Sequence, residues 1–123
     1  MFIRIGSYVW TQHVKQKMRF YQLSEARIKR VVRYPERIEE GIAPNTVACM
    51  QKTTNTKKPQ EIWAMYQVQN KGLKTENKKE TGLSIKTDPV SLKIISAWKY
   101  PGISPKNNPI PQEILDELRS LLS

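Results

Sequence analysis

His13 is the only histidine in the chain, and Lys17 and Tyr21 follow it at the i+4 and i+8 positions, so on a helix the three share one face. Imidazole changes charge near neutral pH, and a neighbouring ammonium or a helix N-terminus favours its neutral, base-competent form. Cleavage of a phosphodiester at a ribose needs a base for the 2′-hydroxyl, cations for the phosphorane oxygens and an acid for the leaving oxygen, which His, Arg or Lys, and Tyr supply. The other reading of His13 is a hydrogen bond to a nearby backbone group at a helix start. A second set of residues suits phosphate binding without chemistry. Arg27, Lys29, Arg30 and Arg33 fall within seven residues, with Arg37 just beyond, opposite an apolar stripe of Ile28, Val31 and Val32. Each phosphate contact from such a cluster releases counterions. Solvated helix faces usually interleave Glu with Lys, whereas here only Glu25 and Glu36 flank the run. A third set lies near the C-terminus. Strict alternation over 92–100 puts Lys93, Ile95, Ala97 and Lys99 on one face and Leu92, Ile94, Ser96, Trp98 and Tyr100 on the other. Trp98 then reads as core, and Tyr100, beside Pro101-Gly102, as an exposed ring for base stacking between lysines.

Other chemistries lack their residues. Cys49 is the only cysteine, so neither an intrachain disulfide nor a four-ligand structural zinc site is available from Cys49 and His13. Cys49 reads as buried filler in an apolar strand. There is no Gly-rich phosphate loop and no nucleophile in evident register with the histidine, so neither cofactor nor metal is expected. The charge points instead to polyanions. Lys and Arg number 21 against 11 Asp and Glu, a formal +10 over 123 residues. The excess is spread along the chain, with nine bases and four acids in residues 1–46 and twelve bases and seven acids in the rest. Phosphate backbones are the partners such a field attracts. No apolar run approaches bilayer-spanning length and the start lacks a signal-peptide layout, so a soluble, cytoplasmic protein is expected.

The length fits one domain. Thr11 is placed to cap a helix over 12–21, and Ser24 to cap a second, with Leu23 stapling onto Ile28 and Tyr34-Pro35 ending it. Segments 36–40 and 46–51 form a hairpin around Gly41-Ile42-Ala43-Pro44-Asn45. Alternation predicts long strands over 61–69 and 92–100. Between them, a lysine-rich insertion at about residues 70–90 carries Leu83-Ser84-Ile85, a brief strand at most. Pro109-Ile110-Pro111 leads into a last helix over 112–122 with Ile114, Leu115, Leu118, Leu121 and Leu122 on one face, the only acidic helix. The expected fold is α+β: two N-terminal helices packed on a four-stranded antiparallel sheet, with the C-terminal helix covering an edge or one face.

The order Thr11-x-His13, Lys17-Met18-Arg19, Leu23-Ser24 and a helix ending in Tyr34-Pro35 resembles the start of small phage- and mobile-element-associated proteins of the DUF4258 type. Lys93-Ile94-Ile95-Ser96-Ala97 resembles the last strand of BrnT-type toxins, with Trp98 where those chains commonly carry arginine. Both groups belong to the RelE-like ribonuclease toxins, and the similarity covers roughly residues 8–101. The resemblance implies RNA ahead of DNA as ligand, and an endoribonuclease site using His13, Arg19, Arg33 and Tyr100. Binding would then rest on Arg27, Lys29, Arg30, Arg33, Arg37, Lys93 and Lys99. It also implies an acidic antitoxin-like protein as a partner. A non-catalytic RNA- or DNA-binding module, or a protein-interaction domain whose cations an acidic partner covers, uses the same surface.

Overall fold

The computed structural model describes residues 5–43, 45–53, 57–69, 90–106 and 109–122. In chain order these form β1 (Ile5–Trp10), α1 (Gln12–Tyr21), α2 (Glu25–Arg33), β2 (Arg37–Glu40), β3 (Thr46–Lys52), β4 (Gln60–Gln69), β5 (Val90–Pro101) and α3 (Gln112–Leu122). The α+β class is as expected. The sheet, however, is mixed and has five strands in the order β1-β5-β4-β3-β2. The expected antiparallel set is β2 to β5, and β1 adds a fifth strand that runs parallel to β5. Gly6 and Ser7 weaken the strand signal of this segment, and its pairing partner lies more than eighty residues away, so nothing local announces it. The lysine-rich insertion, including Leu83-Ser84-Ile85, lies outside the described residues.

Local chemistry sets the helix limits. Thr11 Oγ1 accepts a hydrogen bond from the Val14 amide at 3.1 Å, and Ser24 Oγ accepts one from the Arg27 amide at 3.1 Å. Gln22 takes a left-handed φ of 59°, which returns the Leu23 amide to the Met18 carbonyl at 2.8 Å and closes α1. Leu23 and Ile28 are both buried in one cluster, as a staple requires. In the β2–β3 turn Asn45 is left-handed at φ 66°. Gly41 passes so near Thr46 that a Cβ would lie 2.9 Å from its carbonyl carbon.

The sheet separates two cores. On one face Val14 and Met18 of α1 and Ile28, Val31 and Val32 of α2 pack on Cys49, Ile62, Ala64, Leu92, Ile94 and Ala97. On the other, Ile114 and Leu118 of α3 pack on Ala48, Met50, Trp63, Met65, Ile95 and Trp98. These lists show where strict alternation along β5 fails. Met65 pairs with Ser96 and Tyr66 with Ile94, so Ile95 is an extra residue and the strand bulges. Beyond it the faces exchange. Leu92 and Ile94 face α1 and α2, whereas Trp98 and Tyr100 lie on the α3 side. Lys93 and Lys99 accordingly fall on opposite faces, a correction to the expected shared one. Trp98 is fully buried, as expected, but Tyr100 is half-buried against the α3-side cluster.

A buried carboxylate ties down the segment leading to α3. Glu61 accepts from Trp63 Nε1 at 2.9 Å, from Ser104 Oγ at 2.6 Å and from the Ser104 amide at 3.3 Å. Arg37 Nη1 sits 3.6 Å from the same carboxylate and donates to the Ser104 carbonyl at 3.1 Å, while Nη2 donates to that of Pro105 at 2.9 Å. A buried charge stays charged only when paired and hydrogen-bonded in this way. Trp98 Nε1 completes the anchorage by donating to the Pro109 carbonyl at 3.2 Å.

Candidate functional site

The β5 bulge positions His13. Thr11 Oγ1 donates to the Ile94 and Ile95 carbonyls at 3.0 and 3.1 Å, fixing the start of α1 on the bulge. Two residues on, in the first turn of α1, His13 Nε2 lies 2.9 Å from Ser96 Oγ, and both side chains are buried. The face shared by His13, Lys17 and Tyr21 meets α3. Lys17 Nζ donates to Glu117 Oε2 at 3.0 Å and lies 2.8 Å from Oε1, which is itself 3.9 Å from His13 Nε2. Burial, more than Lys17, pushes the His13 pKa below its usual 6.5, while Glu117 opposes the shift in part. Burial and the carboxylates of Glu113 and Glu117 raise that of Tyr21.

His13 is therefore a neutral imidazole at neutral pH, with a serine and a carboxylate beside it. In nucleophile triads the acid bonds one ring nitrogen and the serine the other, so that the acid orients the base. Here Ser96 and Glu117 both approach Nε2. Ser96 is also completely buried, out of reach of a substrate. The cluster joins β5, α1 and α3.

The other residues singled out from the sequence are dispersed. Arg33 Nε reaches the hydroxyl of Tyr8 on β1 at 3.3 Å, and Tyr8 pairs with Leu92. Ser96, the partner of His13, is four residues further along β5, about 13 Å at roughly 3.3 Å per residue. Tyr100 is four residues beyond that and on the α3 side, so His13, Arg33 and Tyr100 do not surround one phosphate. Arg19 is exposed near the end of α1, beside a shallow groove that it lines with Lys15 and Glu25. Lys93 and Lys99 are half-exposed on opposite faces of β5. Arg37 is consumed by Glu39, Glu61 and two carbonyls, and its guanidinium lies 5.1 Å from the Trp63 ring.

What the structure does bring together is the outer face of α2 and the edge strand β1. Lys29 Nζ sits 5.0 Å from the centre of the Tyr8 ring, and Tyr8 stacks on Trp10 at 5.9 Å with 18° between planes. Arg33 bonds the Tyr8 hydroxyl, Arg30 is exposed, and Tyr34, 67 % exposed, follows in the next turn. Among the described residues, Lys29, Arg30 and Arg33 have no carboxylate within salt-bridge distance. Arg27, nearer the helix start, is held by the Gln51 side chain. Sequence reasoning passed over Tyr8 and Trp10. Their i, i+2 spacing is a strand signature, but Gly6-Ser7 ahead of it leaves too short a pattern to read.

A groove of about 790 Å³ lies elsewhere, along β2 and the approach to α3, and carries Glu39 and Glu40 among Ile38, Ile42 and Ile110. Its charge has the wrong sign for phosphate. No described group of His, Cys, Asp and Glu could hold a metal ion, and no described helix is long and apolar enough to cross a membrane. Comparison with protein-family models, with curated proteins and with solved structures finds no match to this chain.

Proposed function

We propose that this chain is a nucleic-acid-binding module that grips phosphates with the outer face of α2 and does not cleave its ligand. The observation that carries this reading is the row Lys29, Arg30 and Arg33, unpaired by carboxylates among the described residues and bordered by Tyr8, Trp10 and Tyr34. Cations interleaved with aromatic rings are what a phosphate backbone and its bases require. Arg30 and Arg33 also offset the negative end of the α2 dipole, a structural role that leaves their guanidinium groups in solvent. Binding without cleavage is favoured over the ribonuclease reading because the histidine is buried against Ser96, and Arg33 and Tyr100 lie at distant points of β5. RNA is the first ligand class to try, on the resemblance to RelE-like proteins.

The test is fluorescence anisotropy with labelled RNA and DNA between about 50 and 200 mM salt, where several phosphate contacts give a steep loss of affinity. Exchanging Arg30 and Arg33 together for Gln keeps helix propensity and the buried stripe. Affinity should fall at least tenfold, about 1.4 kcal/mol, with the circular dichroism unchanged. The RNA should be recovered intact. Unaltered affinity in the folded double variant would move the binding surface off α2, and cleavage lost on His13→Gln would restore the catalytic reading.

A further inference from the structure

We propose that the Tyr8–Trp10 pair on the outer strand is a stacking platform for an unpaired base, so that the ligand gripped by α2 is a single strand and not a duplex. The inference rests on the nucleic-acid reading above. Among the described residues there are two aromatic stacks of equal spacing. Trp63 and Trp98 lie 5.9 Å apart with 7° between planes, both fully buried, with their indole N–H groups donating to Glu61 and to the Pro109 carbonyl. Tyr8 and Trp10 are also 5.9 Å apart, but both are half-buried on the edge strand. Among the described residues nothing accepts from the Trp10 indole N–H, and β1 has a sheet neighbour on one side only. The first stack is core. The second has the same ring geometry but packs only in part on the cluster beneath α1 and α2, which leaves the rest of the pair at the sheet edge.

Its surroundings fit a nucleotide better than an apolar protein segment. Lys29 lies over Tyr8 and Arg33 holds its hydroxyl, so the rings meet solvent beside two cations from a neighbouring helix. An unpaired base stacked on the rings places its phosphate toward those cations. A duplex keeps its bases stacked on one another and has no ring to offer. Stacking of a base on an aromatic side chain tolerates any base, so little sequence preference is expected.

Trp10 is the one tryptophan of the three not fully buried, so quenching of intrinsic fluorescence by a ligand reports on this ring. Titration with oligo(U) and oligo(dT) should quench the emission, and a duplex of equal length should not. Trp10→Phe should remove the quenching and keep the affinity, because a ring remains. Trp10→Leu keeps apolar contact with the core but removes the π face, and should weaken single-strand binding about tenfold while leaving the salt slope unchanged. Arg30→Gln/Arg33→Gln should instead make that slope shallower by about 1.4, at roughly 0.7 per phosphate on a single strand. Equal binding of duplex and single strand without quenching, or wild-type affinity in Trp10→Leu, overturns the stacking platform and leaves the phosphate grip in place. Should Trp10→Leu not fold, the quenching comparison and Trp10→Phe decide alone. Absence of binding to any nucleic acid at about 50 mM salt removes both readings and points to a protein partner for this face.

Discussion

His13 is buried as a neutral base beside Ser96 and Glu117, and unfolding returns it to water, where it binds a proton more readily. Its folded pKa lies below 6.5 because burial penalises the imidazolium. The unfolded chain therefore takes up more protons as pH falls through 6.5, and the stabilisation present above that value is lost on the way down to the folded pKa. With no second histidine in the chain, this side chain governs the interval between about pH 7 and pH 5. Urea midpoints of the wild type should drop as pH falls through the histidine range. His13→Gln, which retains a partner for Ser96, should flatten the profile there; an unchanged slope in the variant would show that the proton uptake belongs to carboxylates. Arg37 illustrates the opposite fate of a surface-looking cation. Read from the sequence it extends the α2 cluster, but in the fold it belongs to Glu61 and the carbonyls before α3.

The single extra residue in β5 organises the elements around it. By exchanging the faces it sends Trp98 to the α3 side and leaves Ala97 under the helix pair, while the carbonyls of Ile94 and Ile95 receive the Thr11 hydroxyl. The helix α1 thus starts where the bulge disrupts the ladder, and it contacts both cores, with Tyr21 packed against each. On the far face α3 seals the Trp63–Trp98 stack by inserting Ile114 and Leu118, both fully buried. Leu118→Ala should cost about 2–5 kcal/mol, because it leaves a cavity against the close-packed face of β3, β4 and β5. The measurement is the unfolding free energy, with near-ultraviolet circular dichroism of the tryptophan pair as a check on local packing. A cost below about 0.5 kcal/mol, the range of surface substitutions, would make α3 an appendage.

At the scale of the molecule, charge among the described residues is segregated by element. The basic residues of α2 occupy one side, and the acids collect on β2 with its flanks, Glu36, Glu39 and Glu40, and on α3, Glu113, Asp116 and Glu117. Such a distribution orients an approaching polyanion toward α2 before contact. It also leaves a +10 chain repelling itself, which weakens the compact state at low ionic strength. Raising salt from about 20 to 200 mM should therefore increase the melting temperature, and a short polyanion such as inorganic polyphosphate should do so at far lower concentration by binding the folded state. A melting temperature indifferent to both would mean that the carboxylates already balance the field locally.

The helices and the antiparallel strands were legible in the chain because their signals are local. Thr11 and Ser24 are caps whose bonds close within three residues, Pro35 excludes the helical conformation from its predecessor, and Ile62 to Val68 alternate without interruption. The cluster Arg27, Lys29, Arg30 and Arg33 was legible for the same reason, since a helical stripe fixes its own opposite face. The tertiary structure alone decided the rest. It placed β1 beside a strand from the other end of the chain, where Tyr8 and Trp10 gain the cations of α2 as neighbours. It put a bulge at Ile95, a residue with nothing unusual in its type, at the point where Thr11 at the start of α1 bonds the β5 carbonyls. Long-range pairings depend on which surfaces meet after the chain has folded back, and a pattern with a period of two or 3.6 residues carries no record of that.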